Sequence, residues 1–269
     1  ALILKPGHVE ALNHRGGALQ ALQRYSEALD SYDRALSLNS RHAETWNNRG
    51  VTLQCLRRYR EAMASFDTAL AQRPDYADAM WNKSLLLLLL GDFDEGWALY
   101  EWRSKRTDAP PATTFTAPPW LGSEDIRGKR LLLHAEQGLG DSIMFSRYAR
   151  LVAARGATVI LAVPQALRRL LANIDGVSEV VSPGDPAPRY DSQCPLMSLP
   201  LRLGIDDVAA IPRAPWLAVP AAERSHERLR GGLGRAGGER KRPVVDHEAY
   251  AAFLEGRHHF AKGTSEGLA

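Results

Sequence analysis

Over the first hundred residues, apolar and small side chains return at an interval of 34 positions. Tyr25, Ala28, Tyr32 and Ala35 recur as Tyr59, Ala62, Phe66 and Ala69, and more loosely as Phe93, Gly96, Tyr100 and Arg103. Gly16 recurs as Gly50 and then as Ser84; the apolar residue four positions earlier is Leu12, Trp46 and Met80; Pro6, Ser40 and Pro74 punctuate the ends. This pattern predicts helical hairpins starting near Val9, Ala43 and Ala77. Small residues let two antiparallel helices approach, and the aromatic rings fill the space between them. One hairpin cannot bury its own apolar face, so the units must stack. Arg103, standing where the period places a small residue, marks the end of the stack.

Beyond residue 105 the period is lost. Residues 106–119, with Pro110, Pro111, Pro118 and Pro119, cannot continue a helix and read as an extended connector. Arg130 to His134 form a short apolar run that meets the small-residue loop Ala135 to Asp141. Helical spacing of Ile143, Met144, Tyr148, Leu151 and Val152 follows, from a helix start near Ser142 to a stop at Gly156. Thr158 to Val163 is rich in β-formers, a second helical stretch reaches about Asn173, and Val177 to Val181 gives a third strand. Strands alternating with helices predict a parallel α/β sheet with right-handed crossovers. In such sheets ligands sit beyond the carboxyl ends of the strands, where the G-L-G-D turn falls, and the helix start offers N–H groups to an anion. Asp141 also suits a plain helix N-cap. The turn lacks the third glycine of a dinucleotide fingerprint, and no acid ends the second strand, so a nicotinamide cofactor is not expected.

Composition narrows the class. With 269 residues, 45% apolar and 24% charged, the chain has enough apolar side chains for about two folded domains and too many for a disordered chain. Its longest apolar run, Leu85 to Leu90, is far too short to span a bilayer. No export signal opens the sequence, and a cytoplasmic location is the expectation. Cys55 and Cys194 stand far apart without metal-ligand spacing, so neither a disulfide, a metal nor a cofactor is expected. The net charge of +3 is small, but residues 224–242 carry seven basic and two acidic side chains. With no aromatic among them to stack on bases, this stretch reads as a linker and not as a nucleic-acid contact. Residues 246–269 are helix-like, and the adjacent His258 and His259 cannot share one helix face, so they read as solvated.

The residues of the 34-position period strongly resemble tetratricopeptide repeats, most completely over 43–76, and residues 1–8 fit the last eight positions of a preceding unit, so the natural protein is expected to begin further upstream. The resemblance implies a concave surface built from the first helix of each unit. Polar residues lie just before the glycines: Asn13, His14, Asn47, Asn48 and Asn82. An asparagine amide both donates and accepts, so it can hold an extended peptide backbone whatever its sequence. In the related repeats of O-linked N-acetylglucosamine transferases an asparagine ladder lines the groove at the positions of Asn48 and Asn82, and His14 breaks it.

The string from Leu131 through Leu171, then YDSQCPLMSLPLRLG and IPRAPWL, resembles the amino-terminal half of a bacterial glycosyltransferase domain. That domain occurs fused behind tetratricopeptide repeats and is distantly similar to heptosyltransferases, which have two Rossmann-like lobes. The resemblance implies that Asp141 is the general base on an acceptor hydroxyl, that Gly138 and Gly140 let substrate approach the backbone, and that Glu136, Gln137 and Ser198 line the acceptor site. His134 reads as a strand residue.

The expected layout is therefore the end of a repeat at 1–8 and three repeats at 9–42, 43–76 and 77–105. A Pro-rich linker at 106–119, a Rossmann-like lobe at 120–222, a Gly/Arg-rich linker at 223–245 and a helical tail at 246–269 follow. The fold class is an all-α hairpin solenoid followed by an α/β half-domain. The expected partners are a protein or peptide in the repeat groove and a sugar acceptor, with a nucleotide-sugar donor held only in longer relatives because the donor lobe has no counterpart here. On that reading the chain is inactive as a transferase; the alternative is a non-catalytic scaffold for extended peptides.

Overall fold

In the computed structural model, which describes residues 8–109, 113, 115–213 and 217, the 34-residue period becomes a set of helical hairpins. Helices α1 (Val9–Ala21) and α2 (Tyr25–Leu38) form the first, α3 (Ala43–Cys55) and α4 (Tyr59–Gln72) the second, α5 (Ala77–Leu90) and α6 (Phe93–Tyr100) the third. The first two starts share a cap, which Tyr76 does not supply at the third. His8 and His42, one period apart, each accept at Nδ1 from a backbone N–H three residues on, Ala11 and Thr45, at 3.3 Å. Histidine in this role carried no signal in the sequence pattern. The turns repeat as well: Gln23, Arg57 and Gly91 sit at φ of 59°, 58° and 87°. Only the third is a glycine. A side chain in the left-handed region costs roughly 1 kcal/mol, which the paired bonds Gln23 N–H to Gln20 O and Arg24 N–H to Leu19 O, both 2.9 Å, help offset.

Close approach explains Gly16 and Gly50. A Cβ at Gly50 would lie 2.6 Å from Cε1 of Phe66, and one at Gly16 would overlap the Tyr32 ring. Tyr32 and Phe66, with Ala28, Ala35, Ala62 and Ala69, are fully buried. The two rings occupy equivalent places with different chemistry. The Tyr32 hydroxyl donates to Oε1 of Gln20 at 3.2 Å, and Thr52 Oγ1 donates to the same oxygen at 2.8 Å. One period later the equivalent residues of the ring and of Thr52 are Phe66 and Leu86, and the position is apolar.

Burial pushes the Tyr32 phenol up to about 12; burial, then the charges of Asp78 and Glu44, push Tyr76 up to about 12. An unfolded tyrosine ionises near 10, so the folded chain holds more protons above that pH. The stability from both phenols is fully present below pH 10 and declines as pH rises from about 10 to 12. Ultraviolet titration should show Tyr32 and Tyr76 among the late phenols, with Tyr148, which burial also pushes up, later still, and the denaturation midpoint should fall over the same interval. Ionisation of all tyrosines near 10 in the folded protein would contradict this.

The third hairpin departs from the period. Helix α6 ends at Tyr100, and Glu101–Lys105 tighten into a 3-10 turn. Arg103 lies buried there; its Nη1 donates to Glu101 Oε1 at 2.6 Å and its guanidinium lies 5.2 Å from the Tyr100 ring centre. A long cation in the small-residue position thus folds back on its own turn. Leu85 to Leu89 are buried, and α5 packs on α4, α6 and this turn.

The chain divides into two units between Ala109 and Pro110. The second contains a small parallel sheet of β1 (Arg130–His134), β2 (Thr158–Ala162), β3 (Val177–Val181) and β4 (Ser192–Pro195), in the order β3-β2-β1-β4. Helices α7 (Leu139–Ser146) and α8 (Ala149–Ala154) follow β1, α9 (Gln165–Leu171) follows β2, and α10 (Leu199–Leu203) follows a 3-10 turn, Leu196–Ser198, after β4. Leu131 and Leu133 are fully buried and Leu132 nearly so, as in a strand covered on both faces. Leu132, Ile160 and Val181 make one core cluster, with Phe115 and Tyr190 packed against it.

Four local expectations are corrected. β4 was not legible, because Ser-Gln-Cys-Pro shows no alternation; pairing with β1 makes it a strand. The connector's end is more than a spacer: Trp120 N–H donates to Gln193 O at 2.8 Å, and Gln193 N–H to Pro118 O at 3.1 Å, so residues 118–120 run beside β4. The long amphipathic stretch is two helices, interrupted at Arg147 and Tyr148. Its start is Leu139 and not Ser142, with Gly138 as the cap residue. The expectations for residues 1–7, 223–245 and 246–269, including His258 and His259, lie outside the described residues.

Candidate functional site

Helices α1, α3 and α5 lie side by side, and their asparagines join them. Asn48 Nδ2 donates to Asn13 Oδ1 at 3.1 Å, and Asn82 Nδ2 donates to Asn47 Oδ1 at 2.9 Å. Asn13 and Asn47 are 6% and 5% exposed, whereas Asn48 and Asn82 are half-buried. A primary amide carries two N–H donors and a carbonyl oxygen, so each outer asparagine keeps an N–H and an oxygen beyond the one bond of its clasp. His14, the counterpart of Asn48 in the first hairpin, is exposed. The same face carries Glu10, Glu44 and Asp78 one turn earlier. Glu44 pairs with Arg73 at 3.5 Å and Asp78 with Arg106 at 3.3 Å. Along the face, Gly17 is exposed, Val51 is buried and Leu85 is 2% exposed.

In the second unit, β1 lies between β2 and β4, so the chain leaves β1 toward one neighbour while β4 joins from the other side. Ligands of open parallel sheets bind beyond the strand ends at such a reversal. The loop Ala135 to Gly138 leaves the carboxyl end of β1, the 3-10 turn ending at Ser198 leaves β4, and α7 packs on that turn. Glu136, Gln137, Gly138, Gly140, Asp141 and Ser198 therefore belong to two segments issuing from adjacent strands. Asp141 is 7% exposed and Ser198 1%; Glu136 and Gln137 are half-buried, and the two glycines are exposed.

Asp141 is the third residue of α7, so it is not the cap, although a carboxylate in the first turn still favours the positive end of the helix. Neither Gly138 nor Gly140 is in the left-handed region. A Cβ at Gly138 would meet Asp141 Oδ2 at an ordinary 3.6 Å, and one at Gly140 would meet nothing within 4 Å. The fold itself does not require glycine at either place. His134 ends β1, 2.9 Å from Gln193 Oε1 through Nε2, with its ring 4.1 Å from that of Phe115. Those two neighbours were missed, since only the pairing of β4 brings Gln193 beside His134. Among the described residues, no three of His, Cys, Asp or Glu are grouped to hold a metal ion, and no helix is long and apolar enough to cross a membrane.

Residues 9–42 and 48–102 match family models of the tetratricopeptide repeat, so the helical unit is built of these repeats. A stretch of 57 residues is 44% identical to the protein FlbA of Caulobacter vibrioides; it makes up 21% of this chain and 9% of FlbA. Among solved structures, MamA is 23% identical over 39% of this chain and 62% of its own, with a TM-score of 0.36. YrrB, described as a TPR protein with an unusual peptide-binding site, is 19% identical over 40% of this chain and 55% of its own, TM-score 0.37. The TPR2B domain of yeast Sti1, solved in a complex with pHsp70, is 18% identical over 36% and 78%, TM-score 0.35.

Proposed function

We propose that the tetratricopeptide repeats are a protein-interaction module that takes an extended peptide along the face formed by α1, α3 and α5, through the outer amide edges of Asn48 and Asn82. The carrying observation is the pair of clasps. Asn13 and Asn47 hold the outer amides in fixed orientation, and each outer amide has a donor and an acceptor left for a peptide backbone. Two of the four asparagines thus position, and two bind. Substituting Asn48 and Asn82 by alanine should weaken a peptide-array hit at least about tenfold, the equivalent of about 1.4 kcal/mol. Each change should also cost about 1 kcal/mol of stability, because a buried oxygen loses its donor. Asn47→Ala breaks a clasp from the inner side and should cost similar stability with a smaller loss of binding. Equal losses of binding in all three variants would sink the assignment.

A second reading, for the α/β unit, rests on the glycines that the fold does not need. It is a Rossmann-like, acceptor-side lobe of a nucleotide-sugar-dependent glycosyltransferase, with Asp141 as base. The carboxylate would take the proton of an acceptor hydroxyl as that oxygen attacks the anomeric carbon and the nucleotide departs. Glu136, Gln137 and Ser198 would line the acceptor, and Gly138 and Gly140 would let it reach the backbone. The donor would be held by a second lobe in longer relatives. Gly140→Val should leave the melting temperature nearly unchanged while abolishing calorimetric binding of a sugar acceptor, and Asp141→Asn should weaken that binding. Acceptor binding indifferent to both substitutions would remove this reading.

A further inference from the structure

The series of clasped amides ends at an aromatic ring. One period beyond Asn13 and Asn47, the inner position on α5 is Trp81, which has no amide oxygen to hold an outer partner. Trp81 is 5% exposed, and its Nε1 has no hydrogen-bond partner among the described residues. Over its face lies a side chain of the same compact unit, from the segment that follows the 3-10 turn. The Arg106 guanidinium carbon stands 3.7 Å from the ring centre, and Arg106 Nε donates to Asp78 Oδ1 at 3.3 Å. Asp78 lies one turn before Asn82, and its second oxygen accepts from Thr107 Oγ1 at 3.4 Å.

The same combination of ring, carboxylate and guanidinium occurs one hairpin earlier. Glu44 is the counterpart of Asp78, and Arg73 lies 3.8 Å from the Tyr76 ring centre with Nη2 3.5 Å from Glu44. The face of a ring attracts a cation and the carboxylate adds charge, so both places are made for a guanidinium. Both ion pairs are longer than the about 2.7–2.9 Å of a good charge-assisted bond. Arg106 is also divided, because its Nη2 donates to Asp108 at 2.8 Å. Its backbone is extended and outside any helix, so side-chain contacts hold it in place. The arginine therefore fills the place beside Trp81 without saturating Asp78.

We propose that Trp81 and Asp78 form a guanidinium seat at the α5 end of the peptide face, occupied by Arg106 in the free protein and taken over by an arginine of a bound peptide. The seat rests on the peptide groove proposed for α1, α3 and α5, and gives that groove a preference for arginine-bearing segments. The exchange is electrostatically even: one guanidinium leaves as another enters, and Arg106 keeps Asp108 beside it. Arginine suits the seat better than lysine, because its plane stacks on the indole while its edge reaches the carboxylate. Arg106 competes as a tethered side chain, at an effective concentration in the millimolar range. A short ligand therefore binds weakly until that competitor is removed.

The test uses the full chain and two blocked tripeptides, acetyl-Ala-Arg-Ala-amide and its citrulline counterpart, which match in shape and differ in charge. The reporter is the indole N–H resonance of Trp81, identified by its loss in Trp81→Phe. The arginine peptide should move that resonance to saturation, and the citrulline peptide should not. Arg106→Ala and Arg106→Gln should each tighten the arginine peptide at least about tenfold by removing the competitor. Adding Asp78→Asn to either should undo the gain, with circular dichroism showing the helices intact. Equal responses to the two tripeptides, or an affinity unchanged by both Arg106 substitutions, overturn the proposal. Longer peptides that need Asn48 and Asn82 but leave the Trp81 resonance unmoved overturn the seat and spare the groove. A charge-dependent tripeptide response, with longer peptides indifferent to both asparagines, removes the amide ladder and supports the seat.

Discussion

Gly50→Val is expected to destabilise the helical unit by about 3 kcal/mol, the upper range for overpacking a filled core. A side chain here meets the Phe66 ring at 2.6 Å with its first carbon, and that ring is fully buried between two helices. Relief requires α3 and α4 to separate, which opens the contacts on both sides of the middle hairpin. Thermal unfolding followed by circular dichroism checks this. Combining Gly50→Val with Phe66→Leu should restore part of the loss, since the smaller side chain gives room to the added methyl groups. A single variant that melts within a degree of the parent would show that the approach of the two helices is not set at this position.

In the second unit the largest effect is expected from Ile160→Asp, a loss of about 4 kcal/mol or more from burying a carboxylate without a partner. Ile160 is fully buried in β2, hydrogen-bonded between β1 and β3, and packs with Leu132 and Val181. The sheet should fail to form while the helical transition persists, and acidification should recover part of the loss by protonating the new carboxyl. Near-ultraviolet circular dichroism of the aromatic residues in this unit, Trp120, Tyr148 and Tyr190, reports the outcome; an unchanged signal would contradict the assigned core.

The hairpins were legible because a period of 34 constrains caps, turns and small-residue contacts together: α1, α3 and α5 begin at Val9, Ala43 and Ala77, where the pattern places them. The asparagine clasps were not, because Asn48 meets Asn13 and Asn82 meets Asn47 at a separation of 35, one position out of step with the period. Comparing residues at that second separation would have found them. β4 has no internal signature at all, since its strand character comes from Leu131 to His134 and from the Pro118–Trp120 segment on its other side. The glycine loop lies at a strand end, as its place after an apolar run predicts, but α7 starts at Leu139, three residues before the Ser142 that the spacing predicts. A glycine cap followed by Leu-Gly gives no polar side chain to mark the boundary.

Among the described residues the order β3-β2-β1-β4 has β3 and β4 at its flanks, and a row of unpaired backbone groups on a flanking strand can template the addition of another chain. Here each is blunted in its own way. On β3 the register slips between Val159 and Ile160, so Ser178 is skipped in the pairing, and Glu179 carries a charge that meets Arg130 at 3.1 Å. Beside β4 runs a segment with Pro118 and Pro119, neither of which has an N–H to donate to a newcomer. A sheet with two apolar strands, β1 and β2, at its centre is thereby kept from growing sideways into aggregates, by irregularity on one flank and by missing donors on the other.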